Sequence, residues 1–584
     1  MDITQTKIEY EKEELAYIRG RVHKEMHKQL GVKEDGYIFS PAYKMGHWDG
    51  IIDFFDPETD KFPTGLINQA EEILGDLQGS LAQKGYEFTY EIEDNRPDAF
   101  LSVEDVPEEI TLEDGEKVLR DYQLESVKGI VQNQIGIANL STGAGKSLAA
   151  SALIDTLLPY LESDERVAVF TNSTAIFEQL VKNIEDQVGI KVGRYGAGKK
   201  DFQKVTAVMI PTVNNAISSD PEAKLKLSAK ERQVKRIAKE VAPKILVGYN
   251  QKNFLYRFLQ RMKVKTKVDQ KLKDTLEDIF YSCGTDKEVK LKLKGYEAEW
   301  QKLLEKKNGK ILKKNKEAQD FLDSVAVMIV DEAHHTTSDT WYKTLLSCEN
   351  AQYRMALTGS IDKSNQVLWQ RMQALFGGIT TRVTNEEMIQ RGISAKPTIT
   401  VFPILAPEGI TEADYMSAYT SGIVENEYRN LLIAKLTKKC YDRGEGVLVS
   451  ISRIEQGETI SKFLKELGVP HDFIHGSSEK DLREQKIQEM RDETLKVLIS
   501  STILDEGVDI SGIDSLVLGA GGKSLRQTLQ RVGRGLRKKK GRENKLSVYD
   551  FMDYSNKHLK KHSEERIHIY EEEGFEVKQI PLPK

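Results

Sequence analysis

A glycine-rich turn between two apolar stretches constrains this chain more than any other feature. Residues 135–140 form a short and mostly apolar run, which is typical of a strand buried in a parallel sheet. The turn GAGKS follows at 143–147, and apolar residues then recur at helical spacing as far as residue 158. A strand, a glycine-rich turn and a helix in this order predict a phosphate-binding loop, because backbone N–H groups and the helix N-terminus face one concavity.

The side chains of this loop suit a nucleoside triphosphate. Lys146 is expected to reach the outer phosphates, and the Ser147 hydroxyl is expected to hold Mg²⁺. The loop departs from the usual pattern, since Leu140 stands where a leading glycine is expected. The residues predicted to bind ATP in the loop are Thr142, Gly143, Ala144, Gly145, Lys146 and Ser147.

Two acids that follow a predicted apolar strand are the expected partners of this loop in binding a nucleotide. Residues 325–330 read VAVMIV, and Asp331 and Glu332 follow at once. A phosphate-bound Mg²⁺ needs a carboxylate at the tip of a neighbouring strand, so Asp331 is the predicted metal ligand. Glu332 can orient and deprotonate the attacking water. Together with the loop, the pair predicts ATP hydrolysis.

Further polar residues are expected near the same edge of the sheet. Arg120 and Gln123 lie about 20 residues before the loop, and a glutamine amide can both donate to and accept from an adenine edge. Small polar residues also follow predicted strands at 171–173, 211–212 and 358–360. Residues at such strand ends either hold a phosphate backbone or cap the next helix, and the pattern leaves both open.

A second α/β region begins near residue 396 and contains a predicted arginine helix at 525–536. Arg534 and Arg537 are three residues apart and share one helical face, and Gln530 precedes them. Paired guanidinium groups can reach γ-phosphate charge as arginine fingers do. The alternative is a basic surface helix.

Length and composition predict a multidomain protein. A chain of 584 residues exceeds a single core, and roughly three to four domains are expected. No apolar run reaches about 18 residues and the first residues are acidic and polar, so neither a membrane segment nor a signal peptide is expected. The three cysteines lie far apart without metal-type spacing, which favours a reducing, cytoplasmic setting without a zinc site.

The first hundred residues predict a small α+β module. The predicted elements are helices over 11–30 and 66–83 and strands over 37–39, 51–55 and 86–92. Trp48, Phe54 and Phe55 lie near Lys44, and they either stack on bases or form the core of the module, with the core favoured. The acidic stretch that follows contains Pro107 and predicts a solvated linker.

A basic block interrupts the first α/β region. Residues 220–316 hold 27 lysines and arginines against 13 acidic residues, a net charge of +14 within a chain of net charge −6. The block is helical in pattern, and it is either a DNA-facing insertion or a solvated helical hairpin. The local excess of positive charge favours contact with nucleic acid, because phosphate contacts dominate that affinity.

Taken in order, these motifs resemble those of the superfamily 2 helicases and translocases. The motifs are RDYQ, STGAGKS, TN, PT, DEAH, TGS, STILDEGVDI and QRVGRGLR, within about residues 118–555. The N-terminal stretch DGYIFSPAYKMGHWDG is similar to the module that precedes the motor in the UvsW branch-migration helicases of T-even phages.

This resemblance implies an α/β fold of two tandem RecA-like parallel-sheet domains with ATP and Mg²⁺ between them. It matches Gln123 to the adenine reader, Gly507 and Asp509 to second-domain nucleotide contacts, Gln530, Arg534 and Arg537 to γ-phosphate sensors, and Thr358 and Ser360 to the motif that links hydrolysis to domain movement. The implied activity is ATP-dependent unwinding or branch migration of DNA junctions, R-loops and forks in recombination, replication or repair.

The expected organisation follows from these motifs. The expected parts are a small α+β DNA-binding module at 1–100, an acidic linker at 101–117, a first RecA-like domain at 118–395 with a basic helical insertion at 220–318, a second RecA-like domain at 396–555, and a tail at 556–584. The expected partner is single-stranded, forked or branched DNA, with RNA–DNA hybrids left open and no membrane. The expected compartment is the cytoplasm, that of the host if the gene is phage-encoded. The alternatives are the motor subunit of a restriction system and an RNA helicase.

Overall fold

The computed structural model describes most of the chain. The described residues are 5–10, 15–34, 36–96, 98–112, 118–141, 143–172, 174–218, 227–247, 250–264, 266–359, 361, 363, 365–394, 396–405, 414–501, 513–521 and 545–582. The chain divides into two compact units, one formed by Met1–Thr212 with Ser324–Lys584 and the other by Val213–Asp323. A membrane-spanning helix is not found within these described ranges.

The N-terminal module combines short strands with two long helices. Its strands are β1 (Gln5–Tyr10), β2 (Val32–Lys33), β3 (Ile51–Ile52), β4 (Lys61–Pro63) and β5 (Tyr90–Glu93). Its helices are Leu15–Leu30, Pro41–Lys44 and Ile67–Ala82, with 3₁₀ turns at Tyr37–Phe39 and Thr64–Leu66. The strands β4, β1 and β5 form an antiparallel sheet, and β2 pairs with β3. The two long helices pack on each other through apolar residues at helical spacing, among them Val22, Met26 and Leu74.

Three predictions for this module are wrong in detail, and one of them is the strand at 86–92, which the structure confines to Tyr90–Glu93. Residues 37–39 form a 3₁₀ turn rather than a strand, because Gly36 has a left-handed φ of 74° and Pro41 begins the next helix. The predicted strand at 51–55 is confined to Ile51–Ile52. The favoured interpretation of the aromatic residues is confirmed for Phe54 and Phe55, which are buried, whereas Trp48 is half-buried.

The module packs closely on a helix of the first α/β domain. The side-chain amide of Gln370 donates to the carbonyl oxygen of Leu30 at 3.0 Å. Ala374 belongs to the module's buried apolar cluster. A Cβ atom on Gly65 would lie 2.0 Å from the carbonyl oxygen of Gln373, so the two backbones meet where only glycine fits.

The acidic stretch is not a solvated linker in its described part. Leu101, Val106, Ile110 and Leu112 are buried in the core of the first domain. The acids between them remain exposed, so the charge that suggested a linker covers the outer side of a packed segment. These apolar residues occur at irregular spacing, which explains why neither helical nor strand periodicity indicated burial.

The first α/β domain is built on an eight-stranded sheet. Its strands are β6 (Ile135–Leu140), β7 (Arg166–Thr171), β8 (Val192–Gly196), β9 (Lys199–Asp201), β10 (Val205–Met209), β11 (Val325–Asp331), β12 (Tyr353–Thr358) and β13 (Ile379–Val383). The order is β13-β6-β12-β11-β7-β10-β8-β9, and every pairing is parallel except that of β8 with β9. The helices are Asp121–Asn133, Lys146–Leu157, Thr174–Val188, Ile210–Ile217, Asp339–Leu346, Gln366–Phe376 and Asn385–Gln390.

The buried centre of this sheet brings several predicted strand ends to one edge. All seven residues of β11 are buried, as expected for a continuous apolar strand covered on both faces. In the register, Asp331 lies beside Leu357, and Thr358 lies beside Asn139. Because β6, β11 and β12 are parallel, the segments that follow them leave the sheet at the same edge.

The second α/β domain is a seven-stranded parallel sheet. Its strands are β14 (Lys396–Ile404), β15 (Val447–Ser450), β16 (Asp472–Ile474), β17 (Val497–Ser500), β18 (Ser515–Leu518), β19 (Lys545–Asp553) and β20 (Glu576–Gln579), in the order β16-β17-β15-β18-β19-β14-β20. The helices are Tyr415–Tyr419, Glu427–Asp442, Ile454–Glu466, Lys480–Arg491 and Lys557–Glu572, with a π-helical turn at Thr420–Val424. The two parallel sheets agree with the predicted fold class of two tandem RecA-like domains.

The predicted C-terminal tail is part of this second sheet. The helix Lys557–Glu572 leads into β20, which pairs in parallel with β14. Arg566 is fully buried and forms an ion pair with Asp550 at 3.0 Å, while the Tyr570 hydroxyl donates to the same carboxylate at 2.7 Å. Because the helix packs on the sheet and leads into one of its strands, the tail prediction is wrong.

The basic block forms a helical unit with its own core. Its helices are Ala229–Arg236, Ala242–Leu246, Gln251–Arg261, Lys267–Ser282 and Asp286–Asp323, with a π-helical turn at Ile237–Val241 and a kink at Asn308. One cluster of buried residues joins most of these helices, and a second surrounds Trp300. The unit spans Val213–Asp323, slightly more than the predicted 220–318, and its helical character is confirmed.

Candidate active site

The glycine-rich turn has the backbone geometry of a phosphate-binding loop. Gly143 and Gly145 adopt left-handed φ values of 84° and 86°, which only glycine adopts without strain. Lys146 is the first residue of the helix Lys146–Leu157 and is only 8% exposed. Its ammonium group donates to the carbonyl oxygen of Leu140 at 3.3 Å. The Lys146 ammonium therefore lies near the C-terminal end of β6, beside the N-terminus of the helix Lys146–Leu157.

Gln123 supports this loop from the preceding helix. Its side-chain nitrogen donates to the carbonyl oxygen of Ala144 at 2.7 Å, and its side-chain oxygen accepts the backbone N–H of Arg120 at 2.9 Å. A Cβ atom on Gly145 would lie 2.3 Å from the Gln123 amide nitrogen. The side chain that the resemblance matches to an adenine reader is thus also packed against the phosphate loop, a role that the sequence did not indicate.

Arg120 extends the same network. Its guanidinium donates to the Tyr122 hydroxyl at 3.0 Å, and that hydroxyl donates to the carbonyl oxygen of Ala144 at 3.0 Å. Arg391 forms an ion pair with Asp121 at 2.7 Å, and this hydrogen bond lowers the pKa of the Asp121 carboxyl and raises that of Arg391. Both ion-paired side chains are exposed, so the pair contributes little stability, although it orients the start of the helix.

The two acids after β11 lie at a sharp change of backbone direction. Asp331 is the last residue of the strand, and its carboxylate accepts the backbone N–H of Glu332 at 3.0 Å. Glu332 itself has a left-handed conformation, with φ 54° and ψ 49°, and a 3₁₀ turn follows it. A left-handed non-glycine residue costs about 1–3 kcal/mol, and such strain concentrates at functional sites.

His334 joins the acidic pair to the next strand, and the sequence analysis missed this contact. Its Nδ1 atom lies 3.3 Å from a Glu332 carboxylate oxygen and 3.4 Å from the hydroxyl of Thr358. Thr358 is fully buried at the end of β12. A histidine three residues after the first acid could have been noticed, but only the sheet register shows which hydroxyl it meets. The contact connects the acidic pair with Thr358, which belongs to the motif predicted to link hydrolysis to domain movement.

The side chains at this sheet edge fit a nucleoside triphosphate with Mg²⁺. They supply a buried ammonium at Lys146, a hydroxyl at Ser147 and a carboxylate at Asp331. Within the described part of the chain, the hydroxyls of Ser141 in the loop and Thr171 at the end of β7 are buried without a hydrogen-bond partner. Buried hydroxyls without protein partners are suited to bind the oxygens of a polar ligand.

The other predicted site residues divide into two groups. Pro211 and Thr212 follow β10 with only Ile210 between, and they lie in the first turn of the helix Ile210–Ile217, where proline is well accommodated. The predicted site residues outside the described ranges are Thr142, Ser173, Ser360, Gly507, Asp509, Gln530, Arg534 and Arg537. The roles of the γ-phosphate sensors therefore remain predictions.

Two protein-family models match the chain over the two α/β regions. Residues 116–363 match the family described as type III restriction enzyme, res subunit, and residues 429–539 match the helicase conserved C-terminal domain. Both matches include the segments that carry the motifs, and together they include strands β6 to β12 of the first sheet and β15 to β18 of the second.

Known proteins similar to this chain are helicases and translocases. The ATP-dependent DNA helicase UvsW of enterobacteria phage T4 is 22% identical over 579 residues, with 94% of each chain covered. The DNA 3'-5' translocase XPB2 of Sulfurisphaera tokodaii is 25% identical over 256 residues, which is 38% of this chain and 58% of that protein. The crystal structure of T4 UvsW aligns over 100% of this chain and 98% of that chain at 18% identity, with a TM-score of 0.39.

Proposed function

We propose that this chain is an ATP-dependent helicase of superfamily 2 and that its substrate is DNA, which it unwinds or branch-migrates at junctions, R-loops and forks. The observation that supports the proposal is the parallel arrangement of β6, β11 and β12 in the first sheet. Lys146, Asp331 and Thr358 each follow or end one of these strands, so the segments that carry the cation, the acid and the hydroxyl leave the sheet at the same edge.

We assign the chemical roles at this edge by side-chain type. Lys146 binds the outer phosphates, and Ser147 and Asp331 hold Mg²⁺, which supplies charge neutralisation of the phosphoryl oxygens when bound. Glu332 orients the attacking water and accepts its proton. Gln123 keeps the phosphate loop in shape through the Ala144 carbonyl oxygen and is also the residue proposed to read adenine.

His334 is proposed to couple changes in the bound nucleotide to β12, the strand that ends at Thr358. Its ring lies within 3.3 Å of Glu332 and 3.4 Å of Thr358, so a change at the acidic pair alters the surroundings of a fully buried hydroxyl. A contact of this length is a weak hydrogen bond, which can be exchanged between two arrangements at small cost. The predicted sensors Gln530, Arg534 and Arg537 are proposed to meet the γ-phosphate from the second domain.

Two features support DNA as the polymer. The similarity to the T4 DNA helicase covers 94% of each chain, so it includes the N-terminal module as well as the motor. The helical unit concentrates a net charge of +14 within residues 220–316. A concentrated positive charge binds phosphates through counterion release, a contribution that is large at low salt for any nucleic acid.

The test compares ATP hydrolysis and strand separation across a panel of polymers. Purified full-length protein is assayed with single-stranded DNA, blunt duplex, forked duplex, Holliday junction and RNA–DNA hybrid. We expect DNA to stimulate hydrolysis, forks and junctions to be unwound, and Lys146→Ala to abolish both activities. Stimulation by RNA alone would reject DNA as the substrate, and hydrolysis without any unwinding would reject the helicase proposal in favour of a translocase.

A second candidate is the motor subunit of a restriction system. The family description matched by residues 116–363 supports it, since that family is named for such a subunit. The candidate predicts that hydrolysis depends on a specific unmethylated DNA sequence. Equal stimulation by methylated and unmethylated DNA of random sequence would reject it.

A further inference from the structure

Two tyrosines flank a phenylalanine on the surface of the helical unit. Tyr256 lies on the helix Gln251–Arg261, and Phe280 and Tyr281 lie on the helix Lys267–Ser282. The rings of Tyr256 and Phe280 are 5.7 Å apart and tilted by 33°, and those of Phe280 and Tyr281 are 5.3 Å apart and nearly perpendicular. We call these three residues the aromatic platform.

The platform faces solvent although a core is available to these helices. Tyr281 is 80% exposed and Tyr256 is 47% exposed. The same two helices bury Leu255 and Ile279, next to the platform residues in sequence, in the core of the unit. Leu255 and Ile279 thus lie inside, whereas the two tyrosine rings beside them lie largely outside and add little to the core.

Lysine side chains border the platform. The Lys252 ammonium lies 5.3 Å from the centre of the Phe280 ring and donates to the carbonyl oxygen of Cys283 at 2.6 Å. Lys292 donates to the hydroxyl of Ser282, the neighbour of Tyr281, at 2.7 Å. Two carboxylates also lie near the platform: that of Asp286 accepts the backbone N–H of Lys252 at 2.7 Å, and that of Glu288 accepts the backbone N–H of Gly284 at 2.6 Å. The Lys252 ammonium is thus held beside the Phe280 ring, and the Lys292 ammonium is held at the residue that follows Tyr281.

We propose that the aromatic platform binds the bases of a single nucleic-acid strand by stacking, with Lys252 and Lys292 on its phosphates. Exposed aromatic rings with adjacent cations are the chemistry by which single strands are bound without sequence preference. The net charge of +14 in residues 220–316 favours a polyanion over an apolar peptide as the occupant. The inference extends the proposed function and depends on it in one respect, namely that the chain binds nucleic acid.

The test is the affinity of full-length protein for fluorescent single-stranded oligonucleotides, measured by anisotropy. The Tyr256→Ala/Tyr281→Ala variant is expected to bind a thymine oligonucleotide at least about thirtyfold more weakly, since each of the two stacking positions contributes at least about fivefold in affinity. Its dependence on salt should stay unchanged because no charge is removed. The Lys252→Gln/Lys292→Gln variant should instead reduce the slope of log affinity against log salt by about 0.7 for each phosphate that the protein no longer neutralises.

Two controls separate stacking from loss of structure. Phe254 lies on the same helix as Tyr256 and is 43% exposed, but two residues away it points about 200° around the axis, so Phe254→Ala should leave affinity unchanged. Tyr256→Trp/Tyr281→Trp should restore binding. A strand with abasic sites should bind the wild type as weakly as the intact strand binds the alanine variant.

The outcomes are distinct from those that test the proposed function. Unchanged single-strand affinity in the Tyr256→Ala/Tyr281→Ala variant, with wild-type hydrolysis retained, would overturn the platform and leave the helicase proposal intact. It would assign the exposed rings to a protein partner instead. Absence of DNA binding in the wild type would overturn both. A loss of duplex affinity equal to the loss of single-strand affinity would also overturn stacking, because bases in a duplex are not available to the rings.

Discussion

The contact between Gln123 and the phosphate loop leads to a prediction about nucleotide binding. The Gln123 side chain donates to the carbonyl oxygen of Ala144 and accepts from the backbone N–H of Arg120, and it is buried. Each hydrogen bond contributes about 1 kcal/mol net, so Gln123→Ala removes about 2 kcal/mol of support from the loop and the helix start. The Ala144 carbonyl oxygen still accepts the Tyr122 hydroxyl, so part of the loop's geometry survives.

We expect roughly two thirds of this free energy to be lost from nucleotide binding. The affinity should therefore fall about tenfold for ATP and for GTP alike. The reason is that the loop binds phosphates, which the two nucleotides share. Binding of fluorescent ATP and GTP analogues measures both constants, and Tyr122→Phe serves as a control that keeps Gln123 but removes the second bond to the same carbonyl oxygen, together with the bond that the Tyr122 hydroxyl accepts from Arg120. An unchanged affinity for GTP would refute the reasoning, because it would confine the amide to the adenine base. A loss for ATP beyond that for GTP would measure the adenine contact separately.

Three further predictions concern the contact between His334 and Thr358 and the N-terminal module. Thr358→Val keeps the shape of the side chain but removes the hydroxyl 3.4 Å from His334, and we expect hydrolysis to fall less than about fivefold while unwinding, measured on a fork, is lost. Gly65→Ala places a Cβ atom against the Gln373 carbonyl oxygen, and overpacking of about 1–3 kcal/mol should lower the melting temperature and expose the module to protease. His27 is buried in part, which disfavours its charge, but hydrogen bonds to two aspartates raise its pKa above 6.5. Its stabilising effect is therefore full below pH 6.5 and is lost as pH rises through the folded pKa, so His27→Gln should lower the melting temperature more at pH 6 than at pH 8.5.

The parts of the fold that the sequence predicted well are those in which a single pattern decides the structure. The run at 325–330 is apolar at every position, and a strand covered on both faces is the structure that accepts such a run. The loop at 143–147 was predictable because two left-handed positions carry glycine. In both cases local chemistry and global fold require the same residues, so the sequence alone was sufficient.

The parts that it did not predict depend on contacts between distant residues. Leu101 and Ile110 are buried because the first domain offers them a surface, and no local periodicity indicates this. The aromatic residues at 37–39 favour a strand by propensity, but the turn at Gly36 overrides that preference. The contact of His334 with Thr358 depends on which strands are neighbours, and strand order follows from packing rather than from the sequence of either segment.

The central claim is that Lys146, Asp331 and Glu332 form one site for ATP hydrolysis, and that DNA stimulates this hydrolysis. The most direct test measures ATP binding and DNA-stimulated hydrolysis in the wild type and in two variants. We expect Lys146→Ala to lose ATP binding, and Glu332→Gln to bind ATP normally but to hydrolyse it at least about a hundredfold more slowly, because a positioned base contributes about 10²–10⁴ in rate. Wild-type hydrolysis in Glu332→Gln, or DNA-stimulated hydrolysis in Lys146→Ala, would contradict the assignment of the site.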